Sequence, residues 1–276
     1  MPFVHRVNPD LLRPVECPGL QRLGSPYDGG YVVPVEAIRR AAVMLSFGLS
    51  VDWRFERDAI ALNPQLRIQA YDHTIGRRRF RNAAMKSTFS IPLRFLSGSP
   101  RGARSSWNKL QTSLDYFRFF RGPVQHHAQR VWYNDDRGSA SIATILERAG
   151  STAPQSIFAK IDIEDSEYRI LPALIERAEL FSGMAIEFHD TDICADVFNT
   201  QMAQLREHFE VVHVHANNYG DLSIDHSLPL TWEISLLHKA LLPGTPQPYT
   251  GPLPRPGLDT PNDPRRDDYT LRFHQD

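Results

Sequence analysis

A short apolar run followed by a helical pattern recurs several times along this chain, and that recurrence predicts βα units and a parallel sheet. The first run is Ala41-Ala42-Val43-Met44-Leu45-Ser46-Phe47, closed by Gly48. Asp52 then reads as the cap of a helix with apolar positions Phe55, Ala59 and Leu62, ended by Asn63-Pro64. A second run, 66–71, stops at Asp72, a later one, 157–163, carries Lys160, Asp162 and Glu164 at its far end, and 184–189 follows. Ile193, Val197, Met202, Leu205 and Phe209 mark a helix leading into 211–215. After the turn Asn217-Asn218-Tyr219-Gly220, the stretch 231–237 reads as a last strand that can pair antiparallel with its predecessor.

Two segments break the pattern. Residues 77–130 show no tidy βα unit before 124–127; the stretch is rich in Arg and aromatics and reads as an insertion between the second and third strands. Between Pro243 and Pro264 stand eight of the chain's 21 prolines, which excludes a helix or a central strand. A tail that is extended on the surface or disordered is expected there, closed by 269–273. The 276 residues are thus expected to form a single domain (1–276) with its core at 22–240, a basic insertion at 77–130 and a proline-rich tail at 243–276.

The net charge of −1 points to neither nucleic acid nor membrane for the chain as a whole. The charge is local instead. Residues 77–130 hold twelve Lys or Arg against the single acid Asp115, which leaves 19 basic and 31 acidic residues elsewhere, a balance of −12. Arg77, Arg78, Arg79 and Arg81 open that stretch and are candidates to bind an anionic acceptor, with aromatics such as Phe80 and Trp107 taking apolar or ring faces. The plain alternative is a solvated basic face, or one that pairs with the acidic body of the same chain or of a dimer mate. Cys17 and Cys194 have no metal-ligand spacing and read as free thiols of a reducing compartment. With no signal-like N-terminus and no apolar run of spanning length, the expected location is cytoplasmic.

Ligands of open α/β sheets bind outside the carboxyl ends of the strands. The polar residues there are Gly48, Asp72, Asp162, Glu187 with His189, and His215. Gly48 allows a cofactor to approach the backbone and Asp72 can take both hydroxyls of a ribose, unless the two merely make a turn and a cap. The dinucleotide fingerprint is absent, since Leu-Ser-Val-Asp-Trp follows Gly48, so a cofactor without phosphates is favoured. Residues two apart on a strand share a face, which pairs Asp162 with Glu164 and Glu187 with His189. His189 is the candidate general base because imidazole titrates near working pH. Asp162 and Glu187 orient it, or the three hold a hard divalent cation such as magnesium that acidifies a hydroxyl. His215 and Asn217 lie on the same rim and suit a polar substrate, the alternative for Asn217 being support of the turn. His213 reads as packed, and His126-His127 as a strand end.

These residues resemble the FkbM-type methyltransferases, in the branch with an upstream Asp-Gly-Gly-Tyr loop. The matches run in order: Asp28-Gly29-Gly30-Tyr31-Val32-Val33; Leu45-Ser46-Phe47-Gly48-Leu49-Ser50 with Phe55-Glu56; Tyr71-Asp72; Lys160-Ile161-Asp162-Ile163-Glu164-Asp165-Ser166-Glu167; Ile186-Glu187-Phe188-His189; His215 to Gly220; and Trp232-Glu233. Asp165 departs from the family's glycine. The resemblance covers roughly residues 22–240. It implies a Rossmann-like class I methyltransferase fold, with a mostly parallel seven-stranded sheet and a last antiparallel strand; the insertion after the second strand and the proline-rich tail lie outside the resemblance. It also implies S-adenosylmethionine as cofactor and O-methylation of a sugar, polyketide or similar metabolite. In that scheme Gly48 faces the methionine part, Asp72 the ribose, and the Asp28-Gly29-Gly30 loop closes over the site. The acceptor is then a small-molecule or glycan-type hydroxyl compound, anionic if the Arg cluster serves it, and the chain is free to form a homo-oligomer. Two other classes stay open: an oxidoreductase with an atypical nicotinamide site, and a binding or assembly protein that kept the fold without turnover.

Overall fold

The computed structural model describes residues 7–164, 166–223 and 228–273. Asp165, the departure from the family pattern, lies outside the described residues. A hairpin of β1 (Leu20–Gly24) and β2 (Gly30–Pro34) precedes α1 (Val35–Arg40). The alternation of β3 (Val43–Phe47), α2 (Arg54–Leu62) and β4 (Arg67–Tyr71) follows. The basic insertion is a helical hairpin, α3 (Arg77–Leu96) and α4 (Pro100–Phe119), that leads into β5 (Val124–His127). Then come the two-residue strands β6 (Arg130–Val131) and β7 (Ser139–Ala140), α5 (Ile142–Ala149), β8 (Ile157–Ile161), α6 (Glu167–Ile175), β9 (Phe181–Phe188), α7 (Ala195–His208), β10 (Phe209–Ala216) and β11 (Trp232–His238).

Seven strands form one sheet in the order β10-β11-β9-β8-β3-β4-β5, with β11 antiparallel to both neighbours and the rest parallel. This is the Rossmann-like class I methyltransferase fold, with the insertion after the second sheet strand. The strand interiors are buried on both faces, as a covered parallel sheet requires. Val43, Leu45 and Phe47 pack against α5, α6 and α7 on one side, while Met44 packs with α1 and α2 on the other. The apolar run of β3 therefore supplies two cores by its period of two. α5 shows how local chemistry sets the ends: Ser141 accepts from Thr144 N at its start, and Gly150 closes it in the left-handed conformation.

Three local expectations are corrected. Asp52 is not the cap of α2; Trp53 occupies that position, and Asp52 instead accepts from Arg54 N and from its guanidinium. Ile193 lies before α7 and is exposed, and Phe209 starts β10, so the helix is shorter than its apolar spacing implied. β8 stops at Ile161, and Glu164 adopts φ 46°, so the chain turns away before Glu164 can share a strand face with Asp162.

The proline-rich tail packs back along the body. Val15 bridges Pro248 and Leu253 bridges Leu271, and Arg255 is buried with its guanidinium 3.6 Å from the Tyr249 ring centre. Among the described residues no helix is long and apolar enough to cross a membrane.

Candidate functional site

The chain leaves β3 toward β4 on one side and later returns to β8 on the other, so β3 and β8 flank the switch point where open α/β sheets bind ligands. A cleft of about 920 Å³ opens there, within the size range of small-molecule sites. Gly48, at φ 79°, sits at its floor. A Cβ built on it falls 1.7 Å from the Asp162 carbonyl oxygen. The glycine is thus demanded by the approach of the two strand-end loops as well as by its backbone conformation.

The loop after β3 is held by Asp72. One carboxylate oxygen accepts from Leu49 N (3.0 Å) and Ser50 N (2.8 Å), the other from Thr74 N (2.7 Å) and Thr74 Oγ1 (2.6 Å). Burial pushes the carboxyl up, but these hydrogen bonds outweigh it and hold it below the usual range. All four lone-pair sites are in use. Asp72 lines the cleft, yet the capacity expected for a ribose is spent on shaping the glycine loop.

At the ends of β8 and β9, one donor atom each from Asp162, Glu187 and His189 lie within 4.8 Å of one another. Tyr31, carried in by β2, places Oη 2.7 Å from Glu187 Oε2 and 3.0 Å from Asp162 Oδ2; its single proton serves one at a time. Lys160 Nζ donates to Asp162 Oδ2 (3.0 Å) and to Gly48 O (2.7 Å). Asn217 Nδ2 donates to Glu187 Oε1 (2.7 Å) and reaches toward Asp28 (3.4 Å). Glu167, fully buried on α6, accepts from the backbone N of His189 (2.8 Å) and faces its Nδ1 (3.2 Å), while His189 Nε2 lies 3.8 Å from Glu187.

Asp162, Glu167 and Glu187 therefore act on His189, and Asp162, Glu56 and Glu187 on Lys160, and the site holds protons. Burial and the charges of Asp162 and Glu233 push Glu187 up to about 8. Burial opposes charge on His189, but Glu167, Glu187 and Asp162 outweigh it and raise the imidazole to about 9. This corrects the expectation of a base titrating near neutrality: before a ligand enters, His189 is an imidazolium. Burial also opposes charge on Lys160, which Asp162 and Glu56 keep above its ordinary value.

Of the other sequence candidates, Asp28, Gly29 and Asn217 line the cleft; Gly30 does not. A Cβ on Gly30 would meet Ser25 O at 2.0 Å, so that glycine serves the hairpin. His215 is not on the rim either. It is buried between Glu233 (3.1 Å) and the tail's Asp268 (3.0 Å), and His213 is buried against Asp259 in the same way. Arg77, Arg78, Arg79 and Arg81 are exposed at the start of α3 and outside the cleft lining; Arg79 donates to Thr74 O (2.6 Å). They give no basis for an anionic acceptor inside a cleft that Asp28, Asp52, Glu56, Asp72, Asp162, Glu164 and Glu187 line. Tyr31, Lys160 and Glu167 were not singled out as site residues from the sequence, although each stands within a quoted motif.

The His215 cluster gives a pH prediction. Burial disfavours its charge, yet Asp268 and Glu233 raise it from 6.5 to about 10. A folded value above the unfolded one stabilises fully below pH 6.5 and is lost as pH rises through about 10. The melting temperature is expected to fall across that window, and the slope to flatten in His215→Gln. Calorimetric scans at stepped pH check this, and an unchanged slope in the variant removes His215 as its source.

No family model and no curated protein matches the chain. Solved structures that resemble it in overall fold include a fibrillarin/Nop5p complex (11% identity, 72% of this chain, 74% of that chain, TM-score 0.35). A Methanococcus jannaschii fibrillarin pre-rRNA processing protein aligns at 12% identity (73% and 68%, TM-score 0.36). A precorrin-6y C5,15-methyltransferase from Geobacter metallireducens GS-15 aligns at 12% identity (74% and 86%, TM-score 0.35).

Proposed function

We propose that this chain is an S-adenosylmethionine-dependent O-methyltransferase of the FkbM type, acting on a hydroxyl of a small-molecule or glycan-type acceptor. The observation that carries the proposal is the acidic cleft at the β3/β8 switch point, whose carboxylates far outnumber its cations. Such a field favours a sulfonium and disfavours the pyrophosphate of a nicotinamide cofactor. The glycine loop at Gly48, set by Asp72, forms the floor against which the cofactor lies, and Asp28 and Gly29 stand over it.

Transfer needs the acceptor oxygen in line with the sulfonium methyl and a destination for its proton. S-adenosylmethionine held against the Gly48 loop would supply the methyl group, its carbon–sulfur bond breaking as the acceptor oxygen bonds to the methyl carbon. The hydroxyl proton passes to the Glu187–His189 pair. A bound cationic cofactor would lower both their values, because a neighbouring positive charge disfavours the imidazolium and favours the carboxylate. Glu167 fixes the His189 ring, and Tyr31 and Asn217 fix Glu187.

A second reading rests on the Asp162–Glu187–His189 cluster itself. Its two carboxylates and imidazole fit a divalent cation, which would relieve the excess negative charge and supply Lewis acidity toward the acceptor hydroxyl.

Titration calorimetry with S-adenosylmethionine, S-adenosylhomocysteine and NADH tests the cofactor. The first two are expected to bind in the micromolar range, about −8 kcal/mol, and NADH not to bind. NADH binding, or none by any of the three, overturns the assignment; chelator and divalent-cation arms in the turnover assay separate the two versions of the chemistry.

A further inference from the structure

The α3–α4 hairpin has a face that no other described residue covers. At its base Phe80, Tyr116 and Phe120 pack edge-on around Trp53 of the body. Toward the tip that packing stops: every residue from 92 to 101 is exposed. α3 buries Phe80 and Ser87 on one side. On the helical wheel Met85, Phe89, Leu93 and Leu96 fall on the opposite side, and Phe89, Leu93 and Leu96 are 75%, 71% and 87% exposed. Phe95 at the tip and Trp107 on α4 are exposed as well. Lone exposed apolar residues need no explanation, but a row of four along the outward side of one helix does.

The charges around this patch have one sign. From Arg77 to Leu114 there is no Asp or Glu, while Lys86, Arg94, Arg101, Arg104 and Lys109 flank the apolar residues. We infer that the hairpin tip is a docking surface for an anionic lipid bilayer, with Phe89, Leu93, Phe95 and Leu96 entering the headgroup boundary and the flanking cations meeting lipid phosphates and carboxylates. Apolar residues at a cationic amphipathic tip, with a Trp beside them, are the chemistry that binding in the interface plane requires. A second copy of the hairpin would bring the same positive charges against these. A nucleic acid would neutralise the charges and leave Met85, Leu93 and Leu96 in water, since aliphatic side chains offer no stacking face. The inference does not depend on the cofactor assignment.

Flotation of the full chain with phosphatidylcholine vesicles, with and without phosphatidylserine, tests it. Binding is expected only with phosphatidylserine and is expected to weaken as salt rises. The Lys86→Gln, Arg101→Gln, Arg104→Gln, Lys109→Gln variant, all at exposed positions, is expected to lose on the order of a hundredfold in affinity. The Phe89→Ser, Leu93→Ser, Leu96→Ser variant is expected to lose about tenfold or more, with calorimetric unfolding unchanged to show that both variants fold. Equal binding to both vesicles, no binding, or loss in neither variant overturns the inference. So does transfer of the same sensitivities to a single-stranded RNA oligonucleotide or to a concentration-dependent rise in mass without vesicle binding.

Discussion

A His189→Gln variant is expected to fold, to bind S-adenosylmethionine as the parent does, and to lose methyl transfer by about 10² to 10⁴, the usual worth of a positioned acid–base group. The ring lies just past the end of β9 and is held through Nδ1, 3.2 Å from Glu167, while Nε2 stands 3.8 Å from Glu187 and makes no hydrogen bond to it, so neither nitrogen depends on the cofactor floor. The interaction it makes with the acceptor proton is realised only in the transition state, so kcat is expected to fall while cofactor affinity holds. The pH profile separates chemistry from mere support of the fold. In the free protein the interacting Glu187–His189 pair is raised into the range of about 8 to 9, so kcat/KM for the acceptor is expected to rise with pH as the pair gives up a proton. The variant should shift that rise, because Glu187 has lost its partner. Near-normal turnover, or an unshifted profile, removes His189 from the mechanism.

What was legible in the sequence was legible for a physical reason. β3, β4, β8 and β9 are continuous apolar runs because both faces of a central parallel strand are covered, and the polar residue after each run is left at the rim. That logic located Gly48, Asp72, Asp162, Glu187 and His189 together. It failed where partners come from far along the chain. His215 alternates correctly for a rim position, but Asp268, 53 residues later, returns with the tail and buries it. Tyr31 reaches Glu187 across 156 residues, and only its place beside Asp28-Gly29-Gly30 pointed toward the site. The helices of the insertion could not be placed because α3 shows no single apolar stripe. Its inner face and its outward Phe89, Leu93 and Leu96 blur the period of 3.6, and Pro92 stands inside it.

Lys160→Met is expected to destabilise the fold by about 3 to 5 kcal/mol, the loss found when one partner of a buried ion pair is removed. Lys160 is buried inside β8 and its ammonium answers two carboxylates. Asp162 is one, at 3.0 Å; the other is Glu56, fully buried on α2, where it accepts from Ser46 Oγ at 2.5 Å. Without the cation Glu56 keeps only the Ser46 hydroxyl in the interior, Asp162, 27% exposed at the cleft, keeps only that of Tyr31, and Gly48 O loses its 2.7 Å donor at the point where the two strand-end loops meet. Stability and cofactor affinity should therefore fall together, unlike in His189→Gln. The double variant Lys160→Met, Asp162→Asn is expected to recover part of the stability, because one of the stranded charges is gone, without recovering turnover. Lys160→Arg is not expected to substitute, since a planar guanidinium cannot converge on the same two acceptors as a point ammonium does. Denaturant unfolding of the four proteins measures this. A loss below about 1 kcal/mol in Lys160→Met would mean that the ammonium is solvated in solution like a surface pair, and that the Gly48 and Asp162 loops hold each other without it.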